Sequence, residues 1–255
     1  MKSPINYAHD HAAALMLLKT IIPKGSIINS FLFYSGLLEF SLCSDKRFVN
    51  CHTSSYVVYE FWHFMLEDSA RVRKIIESRY FQNLNDEKIF NLLQENWHTY
   101  RDPYTRTALF LLLNWSSETG LISSGKFQKA VYNPLRLEKV SRFNPSNFHL
   151  SFLDPRTSVI NSISSDNNCD YLLIPAGRFN YNLFEHGKSI GREQTTINHA
   201  DFFSCLKELT QKWIVLYKNH DSVHKMYKDF NIKMIDKYGN ITNQDNCEDI
   251  IVTNF

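Results

Sequence analysis

The stretch Asp170-Tyr171-Leu172-Leu173-Ile174-Pro175-Ala176-Gly177 reads as a buried strand running into a tight turn. Its apolar run has no polar alternation, as in a strand covered on both faces, and Pro175 and Gly177 punctuate its end. Downstream, Trp213-Ile214-Val215-Leu216-Tyr217 is a second strand of the same kind. Between them Phe202, Phe203, Leu206 and Leu209 recur at helical spacing, which predicts a helix over 199–209. Residues 222–229 come next as a helix with Asp221 as N-cap, and 232–235 with 249–253 predict a closing antiparallel pair. Upstream, a helix over 9–21 ends near Pro23-Lys24-Gly25, and 26–29 and 47–51 read as short strands. Helix and strand alternating at this spacing predict an α/β parallel sheet.

The middle of the chain breaks the alternation. From about 54 to 115 the pattern is helical, with Val72, Ile75, Ile76 and Arg79 on one face and Ile89, Leu92, Leu93 and Trp97 on another. Asp102-Pro103 starts the next helix, since proline suits a first turn. Residues 117–146 are richer in Gly, Ser, Pro and basic side chains, and Gly120, Gly125 and Pro134 predict a hairpin or loop region there. The expected organisation is a core of residues 1–60 and 145–255 with a helical insertion at 61–144.

Composition narrows the class without naming a function. The chain has 255 residues, 44% hydrophobic and 21% charged, as in an ordinary globular protein. Aromatics reach 14%, mostly inside apolar or amphipathic runs, so they read as core filling. A net charge of +2 does not announce nucleic-acid binding, and any basic surface must be local. Lys126, Lys129, Arg136, Lys139 and Arg142 against Glu138 form the best such patch. Five widely spaced cysteines with no C-x-x-C pair argue against a disulfide framework or structural zinc and suggest a reducing, cytoplasmic compartment. No stretch is long and apolar enough to predict a membrane span.

With these segments placed, the chain resembles the Dam-type (D12 class) DNA adenine-N6 methyltransferases over nearly its full length. Four anchors carry the resemblance. Arg101-Asp102-Pro103, Arg106, Ala108-Leu109-Phe110-Leu111 and Leu113-Asn114 resemble the helix before that family's Phe-Asn-Gly-Leu segment. Gly120-Leu121 and Gly125-Lys126-Phe127 resemble the family's sequence on the C-terminal side of that helix. Trp213 to Tyr217 with Asn219-His220-Asp221 is similar to a family strand and its exit. Glu248 to Phe255 is similar to the C-terminal strand. The resemblance implies an α/β, Rossmann-like S-adenosylmethionine-dependent methyltransferase fold with a helical insertion.

The same resemblance implies that the chemistry has been removed. The family's catalytic Asp-Pro-Pro-Tyr falls on Ile174, Pro175, Ala176 and Gly177, with no carboxylate to orient an adenine amino group. Its Pro-Phe-x-Gly-x-Gly cofactor loop falls on residues 30–35. Phe33 and Ser35 replace glycines, and Phe33 is expected to fill cofactor space. The ribose-gripping aspartate falls on His52, which lacks two acceptor oxygens. The Trp-Ala-Gly-Gly-Lys segment falls on Tyr7-Ala8-His9-Asp10-His11, and the DNA-engaging arginine after Gly120 is absent.

The reading is therefore a catalytically inactive homologue that binds DNA, or serves as a scaffold or pseudo-subunit for an active methyltransferase or other protein. No cofactor and no metal are expected. The alternative is an active adenine-N6 methyltransferase using S-adenosylmethionine, with Asn180, Asn182 or Glu185 as a replacement acceptor. A third possibility is a different small ligand lined by Phe33, Tyr34, His52 and Arg178. The simpler readings of isolated motifs are preferred: His9-Asp10-His11 as a solvated helix start, His220/His224 as no metal pair, and Cys51-His52 as strand neighbours facing opposite ways. Asn114-Trp115-Ser116 matches a glycosylation acceptor but means little in a reducing compartment.

Overall fold

The computed structural model describes residues 3–7, 10–78, 86–120, 122, 125–129, 134–154, 158–165, 168–179 and 197–255. Seven strands form one mixed sheet: β1 (Ile27–Ser30), β2 (Phe48–Thr53), β3 (Phe148–Phe152), β4 (Tyr171–Gly177), β5 (Lys212–Lys218), β6 (Asn231–Ile235) and β7 (Asp249–Thr253). Their spatial order is β3-β2-β1-β4-β5-β7-β6. The first five are parallel, and β7 runs antiparallel between β5 and β6. The order reverses between β1 and β4, which is the switch point of a Rossmann-like sheet.

Side-chain alternation divides the core. Leu173, Ile214 and Leu216 join one buried cluster, while Leu172, Ile174, Trp213, Val215 and Tyr217 join another. The first cluster is closed by α1 (Leu15–Ile21), α2 (Leu37–Cys43), α3 (Tyr56–Glu67), α4 (Ser69–Ile76), α5 (Glu87–Asn96), α6 (Pro103–Trp115) and α7 (Pro134–Ser141). The second is closed by α8 (Val159–Ser165), α9 (His199–Glu208) and α10 (Asp221–Met226). Five of the first group, α3 to α7, lie in the chain between β2 and β3. They share their core with β1 and β2, through Phe33, Phe40, Trp62 and Phe143, rather than building a separate one.

Most predicted elements are present with shifted ends. The antiparallel pair of β6 and β7 is found as read, Ile232 facing Val252. The helix expected over 9–21 begins only at Leu15, because 11–14 form a tighter turn in which Ala14 N–H donates to the His11 carbonyl and Leu15 N–H to that of Ala12. The N-cap of α10 is His220, not Asp221: its Nδ1 accepts from the Ser222 N–H at 3.1 Å. Within 117–146 the hairpin expectation is met, among the described residues, by an antiparallel Ser117–Phe127 bridge. Residues 134–141 are helical, because Leu137 and Val140 share a face that is fully buried beside α4. The edge strand β3 and helices α2 and α8 are additions to the sequence reading.

The start of α6 shows how local sequence fixes the inserted helices. Pro103 occupies the first turn, and the Asp102 carboxylate caps it by accepting from Thr105 N–H at 2.9 Å. Arg106 then reaches α3, with its Nε and Nη2 on the two Glu60 oxygens at 2.6 and 2.5 Å. The pair is mostly buried, so removing one partner strands a charge while removing both does not. Arg106→Met should lose about 3 kcal/mol of stability, and Glu60→Leu/Arg106→Met should recover most of it. Urea unfolding midpoints of the two variants measure this difference.

Candidate functional site at the sheet switch point

In open α/β sheets, ligands sit outside the carboxyl ends of the strands where the order reverses. Here that place is bounded by the loop leaving β1 and by the end of β4. The crevice is lined by Tyr7, Asp10 and His11, by Leu32, Tyr34 and Ser35, by Leu38 and Glu39, and by Pro175 and Gly177. Its volume is about 40 Å³. Sites for cofactor-sized ligands usually enclose roughly 300–1,000 Å³.

Backbone geometry explains the narrowing. Leu32 adopts φ +60°, a left-handed conformation uncommon outside glycine, and Gly36 adopts φ +71° at the N-cap of α2. The reversal at Leu32 sends the Phe33 ring away from the crevice. It packs instead at 5.7 Å from both Trp62 and Phe148, wholly buried in the core. Phe33 therefore does not fill the crevice, as the sequence suggested; Leu32, Tyr34 and Leu38 wall it. The Trp62 indole donates to the Tyr34 carbonyl at 2.7 Å and pins the loop.

The chain's own N-terminal segment supplies the remaining fill. The Asp10 carboxylate accepts from the Ser35 hydroxyl, and the Tyr7 ring lies 4.8 Å from that of Tyr34. His11 is buried, with Nδ1 2.9 Å from Asp249 Oδ1 at the start of β7. Lys218, at the end of β5, reaches the same carboxylate at 2.8 Å. Asp10 and His11 are thus structural anchors, not a solvated helix start; only the fold brings β7 beside them.

Burial dominates the electrostatics. Desolvation pushes the Asp10 carboxyl up to about 7, opposed by the Ser35 hydrogen bond and reinforced by Glu39. Glu39 is fully buried on α2, and desolvation raises its pKa although Ser30 Oγ donates to it at 2.8 Å. Burial alone would raise Asp249 too, but His11 and Lys218 hold it below the usual carboxylate range.

The other sequence candidates are dispersed. Ser35 does line the crevice. His52 does not; it stacks on Phe31 at 4.7 Å, on the side of α8. Phe33, Tyr34, His52 and Arg178 therefore form no common pocket: Phe33 is in the core, Tyr34 lines the crevice, His52 faces α8 and Arg178 is exposed beyond β4. Ile174 and Ala176 are buried in β4, and Asp170 binds the Ile27 N–H at the opposite end of the strand. Asn180, Asn182 and Glu185 lie outside the described residues. Lys126, Lys129, Lys139 and Arg142 are exposed and Arg136 is half-buried; among the described residues only Arg142 pairs with a carboxylate, that of Glu138.

Isolated motifs resolve into packing. Cys51 is buried with its thiol pKa raised well above normal by desolvation, facing away from His52. His220 caps α10 and His224 binds Asn219, and no cluster of three metal-ligating side chains occurs among the described residues. Asn114 is fully buried with its amide in use, so it offers no glycosylation acceptor. No helix among the described residues is long and apolar enough to cross a membrane.

Among the described residues, those lining the crevice do not fit S-adenosylmethionine. The loop leaving β1 presents Leu32, Tyr34 and Ser35 to it, β2 ends in His52 and Thr53 without a carboxylate, and the volume left is about 40 Å³. No family model and no curated protein matches the chain. Among solved structures, a TehB-like SAM-dependent methyltransferase from Corynebacterium glutamicum aligns over 96% of this chain and 87% of its own, at 8% identity and a TM-score of 0.36. The strand order itself places the chain in the α/β, Rossmann-like methyltransferase fold.

The raised Asp10 pKa has a definite sign in stability. The folded state holds its proton up to about pH 7, whereas the unfolded chain releases it near 3.8. Stability should therefore fall as pH rises between those values and level off above, on the order of 2–4 kcal/mol. Asp10→Asn should flatten much of that slope, Glu39 supplying the rest, and be the more stable protein at pH 8. Urea midpoints at pH 5 and 8 check this.

Proposed function

We propose that this chain is a catalytically inactive relative of the DNA adenine-N6 methyltransferases it resembles, working as a DNA-binding or scaffolding pseudo-subunit. One observation carries the reading: the crevice where the fold would seat its cofactor is packed with Tyr7, Asp10, His11, Leu32 and Tyr34, leaving about 40 Å³. Two further features support it. The C-terminal end of β4 offers Ile174, Pro175, Ala176 and Gly177, which are strand and not the turn expected there, and none of them can hold an adenine amino group through a carboxylate. The end of β2 offers His52, engaged with Phe31.

The anchors of the resemblance serve architecture. Arg106 binds Glu60, Asp102 caps α6, and Trp213 to Tyr217 form the centre of the sheet. A maintained scaffold without its reaction centre suits recognition work. The exposed cations Lys126, Lys129, Lys139 and Arg142, with half-buried Arg136, lie before, on and just after α7, and are suited to phosphate contacts that position a strand without reading its sequence.

Purified protein, incubated with radiolabelled S-adenosylmethionine and duplex DNA containing many adenine contexts, should transfer no methyl group above the no-protein control. Clear turnover would sink the proposal. In a DNA-binding measurement, affinity should fall steeply with salt, since phosphate contacts release counterions.

A further inference from the structure

A second concavity, about 870 Å³, lies between the N-terminal segment and the turn after α6. Its wall contains a guanidinium that is built into position. The construction starts at Asn114, fully buried at the end of α6. Its Oδ1 accepts from the Asn6 N–H at 2.8 Å, and its Nδ2 donates to the carbonyls of Asn6 at 2.8 Å and Gly120 at 2.5 Å. Both backbone polar groups of Asn6 are thereby fixed. Gly120 permits the approach: a Cβ there would lie 2.0 Å from the Asn6 carbonyl oxygen.

Asn6 in turn presents its side-chain Oδ1 to Arg136 Nη2 at 2.8 Å. The guanidinium lies 4.3 Å over the Trp115 ring, and the Trp115 indole N–H is tied to the Pro4 carbonyl at 2.8 Å. Every one of these partners is neutral. Among the described residues no carboxylate comes within salt-bridge distance of Arg136, and one of its five N–H groups is engaged. Burial pushes its pKa down to about 10, in keeping with a cation partly stripped of water and not compensated.

A half-buried, preorganised arginine fork without an acid is suited to a planar or tetrahedral oxyanion. Lys129, exposed on the same groove, adds a second positive charge, which favours a phosphate over a single carboxylate. Tyr7, Trp115, Thr119 and Gln128 add aromatic surface and uncharged hydrogen-bonding groups, suited to a base and sugar. The acids on the groove are Asp10, engaged by Ser35, and the exposed Glu118. The volume lies within the usual range for a small-ligand site.

We propose that Arg136, set by Asn6 and Trp115 and assisted by Lys129, is a binding centre for the phosphate of a nucleotide, either free or within a nucleic-acid strand. This deepens the nucleic-acid part of the proposed function and does not depend on the state of the crevice at the switch point.

The Trp115 indole N–H resonance, assigned with Trp115→Phe, reports on the site. It should shift saturably with thymidine 5′-phosphate and with a ten-residue oligothymidylate, and not with thymidine. Arg136→Lys should weaken thymidine 5′-phosphate binding at least tenfold, and Asn6→Ala, which keeps the charge but releases the guanidinium, severalfold. Lys228→Gln, an exposed cation outside the groove and the basic patch, should stay within twofold. If the oligonucleotide binds at least tenfold tighter than the mononucleotide, the source is a strand. If it binds no tighter, the source is a free nucleotide: the DNA reading then fails while this site stands. Absence of a saturable shift with either phosphate-bearing probe, equal binding of thymidine, or unchanged affinity in both Arg136→Lys and Asn6→Ala would overturn the proposal.

Discussion

A polypeptide segment can take the place of a ligand only if its polar groups find partners in the crevice it enters, because buried polar groups left unpaired are costly. The N-terminal segment meets that condition in the main, although His11 Nε2 and Asp249 Oδ2 are buried without a hydrogen-bond partner. Asn6 is bound through both peptide groups by Asn114, Asp10 is held by Ser35, and His11 is paired with Asp249. These contacts join three separate parts of the chain: the end of α6, the loop leaving β1, and the β5–β7 edge. The geometry of both concavities depends on this docking. It closes the switch-point crevice on one side and shapes the larger groove on the other.

The docking also accounts for the unusual electrostatics. A seat for a small ligand needs open space and unspent polar groups. Asp10 and His11 instead bring polar groups that belong to the protein, and the cost appears as an Asp10 carboxyl pushed up to about 7. The crevice is thus polar, nearly filled and internally satisfied in large part, which is a different object from an open reaction centre. Phe33, a residue that would block a cofactor in a linear reading, does its work elsewhere, in the aromatic core with Trp62 and Phe148.

Legibility in the sequence followed burial pattern. β4, β5 and β7 are apolar runs buried on both faces, and they stand out. The helices α6 and α9 carry an N-cap and an apolar stripe. By contrast β3 is an edge strand, Phe-His-Leu-Ser-Phe, with no residue fully buried, so it has little to distinguish it from a loop. α2 is buried on nearly every side, which erases the helical period. α7 was hidden by the glycines and proline around it, although Leu137 and Val140 already had helical spacing. For the site, the sequence placed Ser35 at the crevice, and the partners that fill it lie far apart in the chain. The pairing of His11 with Asp249 spans 238 positions and the Asn6–Asn114 clamp 108, and no local pattern announces either.

The central claim is that the chain's own residues occupy the cofactor position. Isothermal titration of S-adenosylmethionine into the purified protein, with and without duplex DNA, tests it most directly. The account predicts no saturable heat up to millimolar ligand in either case. Saturable binding in the micromolar range would contradict it, because the N-terminal segment would then have to leave the crevice at little cost.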